Sequence, residues 1–85
     1  MQIRYARLFS KQYDKAGTKI KAAFKQKLDF FLQNPFHSQL NNHALTGKLK
    51  GYRSINVTGD WRALYSQSNK TVVFEMLGTH SQLYK

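Results

Sequence analysis

Residues 49–77 read LKGYRSINVTGDWRALYSQSNKTVVFEML, and this stretch decides the fold. It holds three extended runs, LKGYRSINV, WRALYSQ and TVVFEML, separated by Thr58-Gly59-Asp60 and by Ser68-Asn69-Lys70. β-Branched and aromatic side chains suit a pleated, half-buried surface, whereas Gly, Asn, Asp and Ser suit tight turns. The pattern predicts a three-stranded antiparallel meander. The tail GTHSQLYK carries Gly78 just past the last run and is expected to finish in a short turn or strand end.

Upstream, the stretch from Phe36 to Asn42, which contains His37, is polar and has no period, so it reads as loop. Before it, Ile20, Ala23, Phe24, Lys27, Leu28, Phe31 and Leu32 follow a 3.6-residue stripe. That spacing predicts a helix with Thr18 as N-cap, stopped by Asn34-Pro35. Lys19, Lys21, Lys25 and Gln26 fall on its other face. Such a row is either a solvated surface or a docking surface for a phosphate backbone or an acidic protein. A shorter helix is predicted over Leu8–Lys15, where Phe9 and Tyr13 stand at i and i+4, and Gly17 is expected to end it in a left-handed conformation. Residues 2–6, QIRYA, alternate as a short strand. The order β-α-α-β-β-β describes an α+β fold with two helices packed on one face of a small antiparallel sheet, to which the first strand adds an edge. The other face is left partly open, and a ligand is expected there.

Eighty-five residues with 41% apolar content, including six Phe, five Tyr and one Trp, suffice for one modest core, so residues 1–85 are expected to form a single domain. The chain has no cysteine, which removes disulfides and thiolate metal sites and fits a reducing compartment. Its N-terminal stretch MQIRYARLFSKQYDK is charged throughout, unlike a secretory signal, and no apolar run approaches the roughly 18 residues of a spanning helix. A cytoplasmic, soluble protein is expected. Fourteen Lys and Arg against four Asp and Glu give a formal charge of +10. Self-repulsion on that scale is usually tolerated because a polyanion is the partner. Nucleic acid leads, and an acidic protein follows. A membrane is not expected, because the cations are dispersed along the chain rather than gathered on one amphipathic helix.

The residues able to carry chemistry lie in the C-terminal half: His43, Lys48, Lys50, Arg53, Asp60, Trp61, Arg62, His80 and Tyr84. Cleaving RNA by its own 2′-hydroxyl takes a base, an acid for the leaving 5′-oxygen, and positive charge around the phosphorane. Histidine serves as acid or base near neutrality. Arginine offers a planar fork to phosphate, and an aromatic such as Trp61 or Tyr84 can stack an unpaired base. Each residue also has a plainer reading. A histidine at a strand end can be a surface residue, Trp61 and Tyr65 alternate as core residues would, and Asp60 suits a hairpin turn. No HxxxH spacing or clustered carboxylates occur, so neither a metal nor another cofactor is expected.

The string from His43 through Ile55, followed by DWR-x-x-Y at Asp60–Tyr65 and GTHS-x-LY at Gly78–Tyr84, resembles the RelE/ParE toxin superfamily, and within it the YafQ-type branch. The likeness covers residues 43–84 in motif and the strand-helix-helix beginning in order. It implies a RelE-like fold and an mRNA interferase that cuts the codon in the ribosomal A site. It further implies a cognate acidic antitoxin, with mRNA and the ribosome as the other partners. Carried over by position, His80 matches the catalytic histidine near the C-terminus and His43 a second histidine. Asp60 and Trp61 match an acid–aromatic pair, Arg62 a phosphate-binding arginine, and Tyr84 an aromatic that positions the substrate base. Asn56 stands where the branch has a histidine, and Met76 where it has an arginine. Either Arg62, Lys48, Lys50 or Arg53 supplies the missing cation, or cleavage is weakened. The same superfamily includes non-catalytic, ParE-like inhibitors of DNA gyrase, which stand as the alternative, together with a ribosome- or RNA-binding module that has lost turnover.

Overall fold

The turn residues close both hairpins: Asn69 adopts a left-handed φ of 55°, a conformation that Asn tolerates better than most residues. The structure, a computed structural model, describes residues 1–84. In chain order it forms β1 (Gln2–Tyr5), α1 (Arg7–Lys15), α2 (Thr18–Gln33), β2 (His43–Ala44), β3 (Arg53–Asn56), β4 (Trp61–Ser68), β5 (Thr71–Thr79) and α3 (His80–Leu83). Short 3-10 turns lie at Ser38–Leu40 and Gly47–Leu49.

The strands are ordered β1-β5-β4-β3-β2. β1 joins at the edge as expected, but it runs parallel to β5, so the sheet is mixed rather than wholly antiparallel. Four further expectations need correction. Gly17 is not left-handed; at φ −67° and ψ 162° it is the N-cap of α2, its carbonyl accepts from the Lys21 N–H, and Thr18 is the first helical residue. Leu49 sits in a 3-10 turn, so the first hairpin strand is shorter than read. Residues 80–83 form a helix, not merely a turn.

One layer holds the core. Phe74 on β5 stands 5.3–5.9 Å, centroid to centroid, from the rings of Tyr5, Phe9, Phe24, Phe31 and Tyr65. Removing such a buried ring costs about 3–5 kcal/mol. The α2 stripe faces this cluster, except that Leu32 is 52% exposed. Lys27, an apparent misfit on that stripe, reaches over it to donate from Nζ to the Val57 carbonyl at 3.2 Å.

A β-bulge decides what reaches the second face. Leu64 pairs with Met76 and Tyr65 with Phe74, so Glu75 is the extra residue. Past such an insertion the side-chain alternation inverts. Val72, Phe74 and then Leu77 therefore enter the core, and Met76 is turned to the side away from the helices. The paired rows on that side are His43–Ser54–Leu64–Met76 and Asn56–Arg62–Gly78.

Candidate functional site

Four of the residues singled out in the sequence meet in one place. His43 of β2, Arg62 of β4, and His80 and Tyr84 at α3 line an open cavity of about 440 Å³, with Asn41, Ala44, Leu45 and Thr46 completing its wall. Residues over 40 positions apart are gathered because β2 and β4 flank β3 and because α3 folds back on the end of β5. Gly78 leaves close room for that fold-back: a Cβ there would stand 3.0 Å from Gln82 Oε1 and 3.3 Å from Leu83 Cδ2, so those side chains would have to give way by a few tenths of an ångström. A capping box then fixes α3. Thr79 Oγ1 accepts the Gln82 N–H, and Gln82 Oε1 accepts the Thr79 N–H at 2.9 Å, so two otherwise orphaned donors are satisfied reciprocally.

The local hydrogen bonds give each group a definite role. His43 Nδ1 lies 2.9 Å from the Asn41 carbonyl oxygen. A carbonyl only accepts, so Nδ1 carries the proton, and in the neutral ring Nε2 is left with its lone pair. Arg62 is anchored through one nitrogen: Nη1 donates to the carbonyls of Thr58, Gly59 and Trp61 at 3.0, 3.2 and 3.0 Å. Its Nη2 and Nε remain as a fork of donors suited to a phosphate. The His80 N–H is held by the Asp60 carbonyl at 2.9 Å, its side chain is exposed, and its ring stands 4.4 Å from that of Tyr84. The Tyr84 hydroxyl is buried without a hydrogen-bond partner among the described residues, as are Asn56 Oδ1 and Ser54 Oγ.

The other five residues lie outside this cavity. Trp61 alternates with Arg62, and its indole packs against the core under the helices. The exposed Asp60 contributes its backbone carbonyl to His80; its carboxylate is not in the lining. Arg53 is also on the helix side, where Nε donates to Asn42 Oδ1 at 2.9 Å and the guanidinium covers the Phe36 ring at 5.2 Å. Lys48 and Lys50 are exposed beyond the wall. Arg62 is thus the one Lys or Arg in the described lining. Sequence reasoning passed over Asn41, whose carbonyl fixes the His43 tautomer; its left-handed φ of 46° is of a kind that Asn-Asn in a polar stretch hints at. Among the described residues no group of three or more His, Asp or Glu is placed to hold a metal ion, and no helix is long and apolar enough to cross a membrane.

A second cavity, about 310 Å³, opens between the helices; its floor is formed by Tyr5, Phe9, Tyr13, Phe24 and Leu28, and Ser10, Asp14 and Lys25 stand at its polar side. It holds no histidine; both of the cavity-lining histidines belong to the first.

A family model described as "Bacterial toxin of type II toxin-antitoxin system, YafQ" matches residues 1–85. The mRNA interferase toxin YafQ of Escherichia coli strain K12 is 33% identical over 86 residues, covering 96% of this chain and 94% of that relative. The crystal structure of YafQ from E. coli strain BL21(DE3) superposes with a TM-score of 0.84 at 28% identity, over 99% of this chain and 98% of that one. YafQ in the E. coli DinJ–YafQ complex is likewise 28% identical, with a TM-score of 0.72 and the same coverage of both chains.

Proposed function

This chain belongs to the YafQ family of type II toxin–antitoxin toxins, and we propose that it is an endoribonuclease cutting mRNA in the ribosomal A site by metal-independent acid–base chemistry. The observation that carries the reading is the meeting of two histidines and one guanidinium in a single open cavity. With Nδ1–H committed to Asn41, His43 Nε2 takes the proton of the 2′-hydroxyl as that oxygen attacks phosphorus. The P–O5′ bond breaks, and protonated His80 gives its proton to the leaving 5′-oxygen. The free donors of Arg62 hold the non-bridging oxygens as charge builds on them, a role of the kind worth about 2.7–4 kcal/mol. Met76 adds no charge to this face, so that role rests on Arg62. Tyr84, beside His80, stacks the base that flanks the cut.

The relative's name, mRNA interferase toxin, supports the substrate class, and a charge of +10 suits a ribosome-bound substrate. The DinJ–YafQ complex supports an antitoxin partner, which complementarity to this charge makes acidic. Attack by the 2′-hydroxyl leaves 2′,3′-cyclic phosphate and 5′-hydroxyl ends. Fragments released from programmed ribosomes are expected to carry those ends, also when cobalt(III) hexammine replaces magnesium. Ends bearing 3′-hydroxyl and 5′-phosphate would mean attack by water and would overturn the mechanism.

A further inference from the structure

The segment Val57–Trp61, the loop joining β3 to β4 together with the first residue of β4, has all five carbonyl oxygens engaged. Lys27 Nζ donates to Val57, Arg62 Nη1 donates to Thr58, Gly59 and Trp61, and the His80 N–H donates to Asp60. Two cavity residues from different elements, Arg62 through its guanidinium and His80 through its backbone N–H, are therefore both tied to the same five peptide units. Val57 is buried in the core and Trp61 packs against it, but Gly59 and Asp60 between them are exposed, so little packing holds the tip of the segment still. The loop is instead tied from within. Thr58 Oγ1 accepts the Trp61 N–H at 3.1 Å and the Asp60 N–H at 3.4 Å, while the Val57 and Thr58 N–H groups both donate to the Trp61 carbonyl at 2.9 and 3.2 Å.

We propose that Thr58 is a positioning residue for the cleavage site: its hydroxyl sets the loop carbonyls so that the Arg62 fork and the His80 ring address the same phosphate. Thr58 does not itself line the cavity, and its effect passes through the peptide units at 58–61. The catalytic half of this inference rests on the acid–base reading above; the structural half does not. Rotation of the Asp60 peptide would release the His80 N–H, and rotation of the Thr58 or Gly59 peptide would remove one of the three acceptors that hold Arg62 Nη1 and loosen its fork. A misplacement of about 1 Å in a reacting group can cost on the order of 100-fold in rate.

Two variants separate the hydroxyl from the side chain's shape. Thr58→Val keeps the branched shape and removes the acceptor; Thr58→Ser keeps the acceptor. Amide hydrogen exchange of intact protein reads the placement directly. Relative to wild type, Thr58→Val is expected to speed exchange at His80 about tenfold or more, with core amides such as Phe31 unchanged, and Thr58→Ser to restore it. On programmed ribosomes at saturating protein, Thr58→Val should cut the single-turnover rate roughly 10- to 100-fold while the half-saturating concentration holds, with Thr58→Ser close to wild type. Wild-type exchange at His80 in Thr58→Val, or a serine variant no better than the valine one, overturns the proposal. If wild-type protein fails to cleave yet the exchange pattern follows the hydroxyl, the placement claim stands and the nuclease reading falls. Normal cleavage by Thr58→Val overturns the positioning role and leaves the nuclease reading intact.

Discussion

The rings of His80 and Tyr84 stand 4.4 Å apart at an interplanar angle of 58°, joined also by the Tyr84 N–H donating to the His80 carbonyl at 3.0 Å. Together they close one side of the cavity, with the Tyr84 hydroxyl buried and unpaired among the described residues. Tyr84→Phe should therefore leave the melting temperature unchanged or raise it, since a buried hydroxyl without a partner costs about 1–3 kcal/mol. Tyr84→Ala should lose the stacking surface, worth about 1–3 kcal/mol per base, and slow cleavage accordingly. Thermal unfolding and single-turnover cleavage of the two variants check both.

Arg62 is the one cation in the described lining, and its Nη1 is spent on three carbonyls. Arg62→Ala is expected to lower the cleavage rate about 10²- to 10³-fold. Arg62→Lys should recover only part of this, because an ammonium cannot hold the loop and a phosphate in a fixed fork. Ribosome binding, spread over many cations, should fall far less in both. A lysine variant with the wild-type rate would contradict the anchored-fork account.

Asn42 ties the segment before His43 to the sheet: Nδ2 donates to the Pro35 carbonyl at 2.8 Å and to the Tyr65 hydroxyl at 2.7 Å, and Oδ1 accepts from Arg53 at 2.9 Å. Asn42→Ala strands the hydroxyl of a residue only 1% exposed. A loss of about 2–3 kcal/mol is expected, visible as a drop in denaturant midpoint with the slope unchanged. A midpoint equal to wild type would show that the network contributes nothing.

Partial burial first, and the neighbouring Tyr13 second, hold the Tyr5 phenol above its usual 10.0. The fold thus favours the neutral phenol. That contribution is full below the unfolded value and is lost as pH rises through the raised folded one. Melting curves taken across this alkaline range should fall less steeply for Tyr5→Phe than for wild type; identical slopes would remove Tyr5 from the alkaline transition.

Local chemistry made much of this fold legible. Thr58-Gly59-Asp60 and Ser68-Asn69-Lys70 announce their turns, Asn34-Pro35 its helix end, and the QIRYA alternation its strand. What stayed hidden depends on distant partners. β2 is two residues long and exists because His43 and Ala44 pair with Ser54 and Arg53. The parallel pairing of β1 with β5 joins Ile3 to Val72, beyond any local pattern. Simple alternation along TVVFEML would bury Met76 beside Phe74; only the bulge at Glu75 turns it to the open face. In the site, histidine and arginine were legible by type and by resemblance. The division between Arg62, which faces the cavity, and Trp61 and Arg53, which face the helices, follows from strand register that the motif alone does not state.

The most direct test of the central claim is primer extension on a defined mRNA carried by programmed ribosomes, with wild-type protein and His80→Ala run side by side. The account predicts 5′ ends inside the A-site codon with the wild type and none with the variant. Intact mRNA in the presence of ribosome-bound wild-type protein, or equal cutting by His80→Ala, would contradict it.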